Sequence, residues 1–323
     1  MMNIPCFYFP STVMLIDDNK TLLENLSLNF DQYLRYKLYD NPMQALDAIN
    51  DQLSHSSLND NFLMHNKVES DDCDISVQVN FDAIRSLLSV SNRSSYITAI
   101  VIDHCMPEMT GVEFCQHLRG IPMKKIMLTG AGTPALAVDA FNAGIIDQFI
   151  AKSSDDMIVQ LKESIVSAQW NYFLQQSKDV MTVLKGYSEC ALHEPIYQAL
   201  IKEFFTRNYP CEFYLLDQTG SFLFINSHGA ITWIVIKSYK ELDSYYDVAN
   251  DYAKAHMVSD NLLYDLKHHI KIPFLLTKHQ QMLPVNEWVD HLYPAKRLDA
   301  QSNYYYSIIE GEREYLNYLV TPS

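Results

Sequence analysis

The chain has neither a long apolar run nor a cysteine pattern. None of its apolar stretches reaches the roughly 18 residues that a transmembrane helix needs, so we expect no membrane span. The N-terminus has no basic region ahead of an apolar core and no small-residue cleavage site, so the sequence predicts no secretion signal. The six cysteines contain no C-x-x-C pair and indicate reduced thiols rather than a disulfide framework. These absences favour a cytoplasmic protein without a membrane partner.

Positive charge is scarce along the whole sequence. The 323 residues carry 24 Lys and Arg against 39 Asp and Glu, which gives a net charge of −15. Residues 1–170 hold 11 basic and 21 acidic side chains, and residues 171–323 hold 13 and 18, so both halves are acidic. A nucleic-acid-binding module usually presents a basic face to the phosphates. The charge balance therefore disfavours a nucleic acid as partner and favours other proteins.

The first half alternates short apolar runs with amphipathic stretches. Apolar runs rich in β-branched residues predict strands, and apolar residues at helical spacing predict helices. The predicted strands are residues 12–16, 34–39, 98–102, 125–129 and 146–151. A predicted helix follows each strand. Five such repeats predict an α/β fold, a doubly wound five-stranded parallel sheet that is covered on both faces.

One stretch interrupts this alternation. Residues 54–96 are rich in Ser, Asn and Asp and are much longer than an ordinary connection. Within them, residues 75–79 are compatible with an extra edge strand and residues 81–88 with a helix. We therefore interpret residues 1–170 as one domain, with residues 54–96 inserted between its second helix and its third strand.

Polar residues stand at the ends of four of the predicted strands. Asp17 and Asp18 follow the first strand, Asp103 follows the third, Thr129 ends the fourth and Lys152 follows the fifth. In an open parallel sheet the carboxyl ends of the strands line one crevice, where ligands bind. Three carboxylates about 4 Å apart repel each other by roughly 4 kcal/mol per pair at an effective dielectric near 20, which favours a bound cation such as Mg²⁺. An Asp can also accept a phosphoryl group, which Lys152 and Thr129 would contact.

These residues belong to longer motifs that resemble a known family. In order, the motifs are the acidic pair at 17–18, D-x-x-M-P-x-M-x-G at 103–111, Thr-Gly at 129–130, A-x-x-A-x-x-A-G at 137–144 and the lysine at 152. This series resembles the receiver domain of two-component response regulators of the chemotaxis CheY type, over about residues 11–170. The resemblance implies a CheY-like (flavodoxin-like) fold. It also implies a phosphorylation switch rather than an enzyme that turns over a substrate.

The resemblance implies roles for single residues around the crevice. Asp103 would be the phospho-acceptor, and a sensor histidine kinase or a phosphotransfer protein would supply the phosphoryl group. Asp18 would be a direct Mg²⁺ ligand and Asp17 largely a water-mediated one, and the backbone carbonyl of Cys105 would complete the protein ligands. The side chain of His104 is expected to face outward.

The resemblance further implies how the switch would work. Phe149 occupies the family's aromatic switch position and would turn inward when Thr129 moves to contact the phosphoryl group. The surface of the fourth helix, fifth strand and fifth helix, about residues 134–169, would form a homodimer after phosphorylation. Ser153 stands where the family usually has Pro after the lysine, so the resemblance does not predict the shape of the loop that follows Lys152.

The second half of the chain has a different pattern. Residues 171–208 predict a helical linker, and residues 209–323 predict a separate α+β output domain. Its predicted strands are residues 212–216, 221–225, 230–236 and 303–309. Gly-containing connections join the first three strands, which predicts an antiparallel β-meander. The spacing of Asp217, Gly220 and Asn226 resembles the opening hairpin of PAS-type sensory domains.

The leading interpretation is a response regulator of a two-component phosphorelay, phosphorylated on Asp103 and signalling by dimerisation or by protein contacts of its output domain. A receiver joined to an output domain without a recognisable DNA-binding element is similar to the plan of the quorum-sensing response regulators of Legionella. Two alternatives stay open. The output domain could be a DNA-binding transcriptional regulator whose reading element is unrecognised, or it could be an enzyme or a ligand sensor.

Overall fold

The chain folds into two compact units. The computed structural model describes residues 4–55, 62–67, 75–130, 134–275 and 283–319. Within these residues, the parallel-sheet unit comprises Tyr8–Asp60 and Ser91–Lys178. The antiparallel-sheet unit comprises Met1–Phe7, Asn61–Val90 and Asp179–Ser323. The second unit is therefore assembled from three separate segments of the chain.

Strands and helices are numbered along the whole chain. The strands are β1 (Phe7–Tyr8), β2 (Thr12–Ile16), β3 (Arg35–Tyr39), β4 (Leu63–Lys67), β5 (Ile75–Val79), β6 (Ile97–Asp103), β7 (Lys124–Thr129), β8 (Gln148–Ala151), β9 (Pro210–Leu215), β10 (Phe222–Asn226), β11 (Ile231–Ser238), β12 (Lys271–Pro273), β13 (Leu292–Pro294), β14 (Lys296–Arg297) and β15 (Tyr304–Glu310). The helices are α1 (Lys20–Leu28), α2 (Pro42–His55), α3 (Phe81–Ser86), α4 (Gly111–His117), α5 (Pro134–Asn142), α6 (Met157–Gln176), α7 (Lys178–Leu184), α8 (Pro195–Asn208), α9 (Tyr239–Ala253), α10 (Asp260–Lys267) and α11 (Leu316–Leu319). None of the helices in the described part of the chain is long and apolar enough to span a bilayer.

The parallel-sheet unit is built on five strands in the order β3-β2-β6-β7-β8. Each neighbouring pair of these strands is parallel. Every residue of β2 and β6 is buried, as expected for strands that are covered on both faces. The structure thus confirms the predicted doubly wound, five-stranded parallel sheet.

Alternate residues of the central strands pack against helices on opposite faces of this sheet. Met14 and Ile16 of β2 belong to a core with residues of α2, α4 and α5. Val13 and Leu15 belong to a second core with residues of α1 and α6. Full burial of such a side chain contributes about 1.5–3 kcal/mol. The register of β2 is therefore fixed, because a shift by one residue would exchange the two faces.

Local signals in the sequence explain where the first two helices begin. The side chain of Asn19 caps α1 by accepting a hydrogen bond from the N–H of Leu22 over 3.1 Å. Pro42 is the first residue of α2, where its missing N–H costs little. Because both helices start at the carboxyl end of a strand, they set the course of the chain at that edge of the sheet.

The antiparallel-sheet unit is built on six strands in the order β1-β9-β10-β11-β15-β14. Strand β10 pairs antiparallel with both β9 and β11, and β15 pairs antiparallel with β11. The predicted meander and the predicted late strand are thus present in a separate antiparallel sheet. The PAS-like character of this region stays a prediction.

Aromatic side chains supply much of the core of this unit. On one side of the sheet, Phe213, Phe222 and Phe224 lie in ring contact with one another. Phe204 and Phe205 of α8 pack against them, with ring centroids 4.6 Å and 5.6 Å from that of Phe224. The segment predicted as a helical linker therefore contains a helix that packs on the sheet. Its residues from Asp179 onward belong to the antiparallel-sheet unit.

Two segments from the first half of the chain also belong to the antiparallel-sheet unit, unlike in the predicted boundaries. Phe7 is fully buried and its ring lies 5.0 Å from that of Phe62, while the carbonyl of Cys6 accepts a hydrogen bond from Leu215 over 2.7 Å. The strand predicted at 75–79 pairs with β4 and does not extend the parallel sheet. The difference from the predicted domain boundaries arises because apolar side chains of these segments, such as Phe7 and Phe62, are buried in the antiparallel-sheet unit. Residues 56–61 and 68–74 of the predicted insertion lie outside the described residues.

Candidate functional site

The predicted polar residues lie at one edge of the parallel sheet. Asp17 directly follows β2, Asp103 is the last residue of β6 and Thr129 is the last residue of β7. Lys152 follows β8, and its N–H donates to the carbonyl of Thr129 over 2.8 Å. Since the strands are parallel, all of these positions are at their carboxyl ends, the edge where ligands bind in open α/β sheets.

Lys152 links two buried carboxylates. Its Nζ lies 2.7 Å from Oδ2 of Asp17 and 2.8 Å from Oδ1 of Asp103, which are 1% and 5% exposed. Partial burial by itself lowers the pKa of Lys152. The hydrogen bonds to Asp103 and Asp17, together with their charges, outweigh burial and raise that pKa above its ordinary value. Lys152 is therefore a permanent positive charge between the two acids.

A third carboxylate completes the acidic site, which we define as Asp17, Asp18 and Asp103 with Lys152. One oxygen of each Asp lies within 4.8 Å of the others. The N–H of Asn19 donates to Oδ1 of Asp17 over 2.9 Å. Among the described residues, neither Asp18 nor the second oxygen of Asp103 has a hydrogen-bond partner. The site therefore has unused acceptors.

The charge and the donor atoms of the acidic site fit a hard divalent cation. Three carboxylates and one ammonium group leave a net charge of about −2. Neighbouring carboxylates at this distance repel by roughly 4 kcal/mol per pair when the effective dielectric is near 20. All the available donors are oxygens, which Mg²⁺ and Ca²⁺ prefer. The arrangement can bind such an ion and, at the same edge, a phosphoryl group.

The two residues predicted to switch conformation lie on neighbouring strands. Thr129 is buried, and its hydroxyl donates to the carbonyl of Ile150 over 3.4 Å. Phe149, on β8, is 36% exposed, and its ring makes an edge contact with Phe141 of α5 at 6.4 Å between centroids. In this structure the aromatic ring therefore faces outward and the hydroxyl is held by the sheet.

The prediction that His104 faces outward is wrong. The residue is 8% exposed, and its Nδ1 has no hydrogen-bond partner among the described residues. Its N–H donates to the carbonyl of Leu128 and its carbonyl accepts from the N–H of Gly111, so the backbone of the loop after β6 is held against the sheet. The side chain of Cys105 is exposed. Its backbone carbonyl as a metal ligand stays a prediction.

The structure explains why glycine occupies position 111, which the sequence alone did not. A Cβ atom at this position would lie 2.4 Å from the carbonyl oxygen of Asp103, which is closer than real contacts allow. The next helix is fixed by a capping box, in which Thr110 and Glu113 each accept a hydrogen bond from the other's N–H. Only glycine lets α4 start this close to the end of β6, so this residue positions Asp103.

A second feature of the parallel-sheet unit is a set of exposed apolar side chains on α5, β8 and α6. They are Leu136, Val138, Phe141, Phe149, Val159 and Val166. Scattered apolar residues are common on protein surfaces. Here they occupy the three elements on which the predicted dimer surface, about residues 134–169, is built.

Comparison with known proteins gives matches of three kinds, namely a family model, solved structures and a curated relative. The family model described as response regulator receiver domain matches residues 61–163. The structure of the Legionella pneumophila response regulator LqsR is similar with a TM-score of 0.71 and 31% identity, covering 95% of this chain and 89% of that chain. The transcriptional regulatory protein FixJ of Rhizobium meliloti (strain 1021) is 31% identical over 97 residues, which are 28% of this chain and 46% of FixJ. The match therefore spans about half the length of FixJ.

Proposed function

Because the chain belongs to the response regulators with a CheY-like receiver domain and is related to LqsR, we propose that it is a phosphorylation-dependent switch whose phospho-acceptor is Asp103. The phosphoryl donor would be a sensor histidine kinase or a phosphotransfer protein. The protein would act in the cytoplasm through contacts of its output region. Participation in quorum sensing stays a prediction.

The observation that carries this proposal is the position of Asp103 in the acidic site. One of its oxygens is held by Lys152 at 2.8 Å, and the other has no partner among the described residues. A carboxylate that is oriented through one oxygen and free at the other is suited to attack phosphorus. Asp17 is less suited, because Lys152 holds its Oδ2 and the N–H of Asn19 holds its Oδ1. Asp18 is exposed and is oriented by no described residue, whereas Asp103 is both oriented and free at one oxygen.

In the proposed reaction, the free oxygen of Asp103 forms a bond to phosphorus as the bond to the donor group breaks, which gives an acyl phosphate. Asp17, Asp18, Asp103 and the carbonyl of Cys105 would hold Mg²⁺. When bound, the ion neutralises negative charge on the phosphoryl group. Lys152 would exchange its contact with Asp103 for one with the phosphoryl oxygens, and the hydroxyl of Thr129 would donate a hydrogen bond to them.

The proposal is tested by phosphorylation with acetyl phosphate and Mg²⁺, followed by intact-protein mass spectrometry. We expect one phosphoryl group on the wild type and none on Asp103→Asn. Asp47→Asn, which removes an exposed acid of α2, is the matched control and should react as the wild type does. Equal labelling of the wild type and Asp103→Asn would refute the assignment of the acceptor.

We further propose that phosphorylation moves Phe149 inward and promotes a homodimer through about residues 134–169. The exposed ring of Phe149 and the exposed apolar residues of α5 and α6 support this idea, because a dimer would remove them from water. Light scattering with beryllium fluoride and Mg²⁺ should show a dimer for the wild type. Leu136→Glu should stay a monomer under these conditions while still accepting phosphate from acetyl phosphate.

The transcriptional role in the name of FixJ suggests the alternative of a DNA-binding output region. A gel shift with genomic and random DNA at low and high salt discriminates it, since contacts with phosphates give a steep dependence on salt. Absence of binding at low salt would remove this alternative. An enzymatic output region stays a prediction as well.

A further inference from the structure

The antiparallel-sheet unit contains a cavity of about 540 Å³. Its wall is formed by the segment before α8, the beginning of α9 and the segment that leads into β15. The lining residues that matter here are Glu189, Glu194, Tyr239, Lys240, Asp299 and Tyr304. The volume lies within the range of about 300–1,000 Å³ that is typical of sites for small molecules.

The three carboxylates on this wall differ in their partners. Glu189 is neutralised, because Lys240 lies 2.8 Å from it and the hydroxyl of Ser238 donates to it over 2.7 Å. Asp299 accepts backbone hydrogen bonds through Oδ1 only, and Glu194 is exposed. Within the described part of the chain, Oδ2 of Asp299 and the carboxylate of Glu194 have no partner. The side chains that line the cavity therefore carry a net charge of about −2.

Tyr304 is the second, independent sign of a ligand. The residue is 7% exposed, it lines the cavity, and its hydroxyl is hydrogen-bonded to none of the described residues. Burial first, and then the negative charge of Glu194, raises the pKa of Tyr304 to about 12, so the phenol is neutral at physiological pH. Its oxygen is then available to a donor inside the cavity.

The arrangement of the acids distinguishes a metal ion from an organic cation. Among the described residues, a set of three or more possible metal ligands converges within 4.8 Å only at Asp17, Asp18 and Asp103. The carboxylates of the cavity are too far apart for one ion to use all of them. The exposed ring of Tyr239 on the wall offers an aromatic face, which attracts ammonium groups.

We propose that this cavity is a binding site for a small organic dication of the diamine class, with its ammonium groups at Glu194 and Asp299. Tyr304 accepts a hydrogen bond from one ammonium group, and the paired Glu189 and Lys240 close the wall. All of these residues lie in the antiparallel-sheet unit, so the site does not depend on the proposed phosphorylation of Asp103.

The test is calorimetric titration of the full-length, unphosphorylated protein with putrescine. A neutral molecule of the same length, 1,4-butanediol, is titrated in parallel. We expect the wild type to bind putrescine at one site and not to bind the diol. Glu194→Gln should weaken binding about tenfold or more, since a hydrogen bond to a charged group is lost, and Tyr304→Phe about fivefold.

The matched control is Glu287→Gln, which removes the same charge from an exposed position that does not line the cavity. It should change the affinity by less than about twofold, because exposed charges are screened by salt. If Glu194→Gln does not fold, Asp299→Asn replaces it with the same expectation. The proposal is overturned if the wild type does not bind putrescine, if the diol binds equally well, or if Glu287→Gln weakens binding as much as Glu194→Gln does.

Discussion

Each of the two units holds a lysine between two carboxylates, yet the two clusters are built for different purposes. In the parallel-sheet unit this lysine is Lys152 of the acidic site. In the antiparallel-sheet unit, Nζ of Lys237 lies 2.9 Å from Asp217 and 3.4 Å from Glu241. We call these three residues the Lys237 cluster. The ion pairs alone do not tell the two clusters apart.

The remaining oxygen atoms do distinguish them. In the Lys237 cluster, Oδ1 of Asp217 accepts the N–H groups of Thr219, Gly220 and Ser221, and Oε2 of Glu241 accepts from Thr219 and Ser238. In the acidic site, Asp18 and one oxygen of Asp103 have no partner among the described residues. Satisfied polar groups stabilise a fold, whereas unsatisfied ones are available to a ligand. The comparison thus supports a structural role for the Lys237 cluster and is consistent with the proposed binding role of the acidic site.

The largest expected effect is on stability and follows from Lys237→Met. The side chain of Lys237 is 11% exposed and that of Asp217 is 30% exposed. Removing the lysine leaves Asp217 and Glu241 without their cation, which should lower the free energy of unfolding by roughly 3 kcal/mol, near the low end for buried pairs because Asp217 keeps some contact with water. Urea unfolding followed by circular dichroism measures this change.

Lys254→Met is the control for this prediction. Its side chain is 72% exposed and pairs with Asp251 on the surface. Surface ion pairs contribute little, so the free energy of unfolding should stay the same as that of the wild type within the error of the measurement. A similar loss in both variants would show that the Lys237 cluster has no special structural role and would remove the distinction between the two clusters.

Gly111→Ala tests how closely the acidic site depends on backbone packing. The added Cβ would meet the carbonyl oxygen of Asp103 at 2.4 Å, so strand or helix must move. We expect the free energy of unfolding to fall by about 2 kcal/mol, which is typical of overpacking, and labelling by acetyl phosphate to slow. Gly130→Ala, where a Cβ meets no atom within 4 Å, should leave stability unchanged or slightly higher. If the two variants were equally stable, the close approach would not matter.

The residues of the acidic site could be predicted from the sequence to lie together, whereas those of the Lys237 cluster could not, and the reason is physical. Residues at the carboxyl ends of parallel strands must share one edge, so Asp17, Asp103 and Lys152 could be grouped from periodicity alone. Lys237 and Asp217 lie on either side of a hairpin, and their contact depends on the pairing of β10 with β11. Side-chain partners across antiparallel strands follow from register, which the sequence pattern fixed only approximately.

For a similar reason, the sequence did not predict which segments of the chain belong to which unit. The apolar residues Phe7 and Phe62 could be recognised as core residues, but their partner could not, because sequence periodicity says which side chains are buried and not against what. The buried position of His104 was missed because the strand ends at Asp103, and alternation of faces no longer applies to the loop after it.

Neutralising one acid should change stability in opposite directions in the two clusters. Asp18→Asn removes repulsion in the acidic site and should raise the free energy of unfolding, measured without Mg²⁺, by about 0.5–1 kcal/mol. Asp217→Asn removes the negative charge that pairs with Lys237 and should lower the free energy of unfolding by about 1–2 kcal/mol. Urea unfolding of both variants and the wild type at pH 7 measures the two changes. Two changes of the same sign would contradict the contrast between a strained site and a satisfied one.

The smallest expected effect is the dependence of the free energy of unfolding on pH, which again distinguishes the two clusters. Burial raises the pKa of Asp217, but the charge of Lys237 and the N–H of Ser221 outweigh burial and hold the pKa below its ordinary value of 3.8. A carboxyl group whose pKa is lower in the folded than in the unfolded state stabilises the fold above the unfolded pKa, and this stabilisation is lost as the pH falls through the folded pKa.

The difference in free energy of unfolding between the wild type and Asp217→Asn should therefore be constant from pH 7 to about pH 5 and shrink below about pH 4. Urea unfolding at pH 7, 5, 4 and 3 measures it. Lys254→Met, which leaves the Lys237 cluster intact, should follow the wild type at every pH. A difference between the wild type and Asp217→Asn that is as large at pH 3 as at pH 7, with both proteins still folded, would mean that the carboxylate of Asp217 stabilises through its shape and not through its charge. In that case the charge balance between Lys237 and Asp217 could not be what distinguishes the structural cluster from the acidic site.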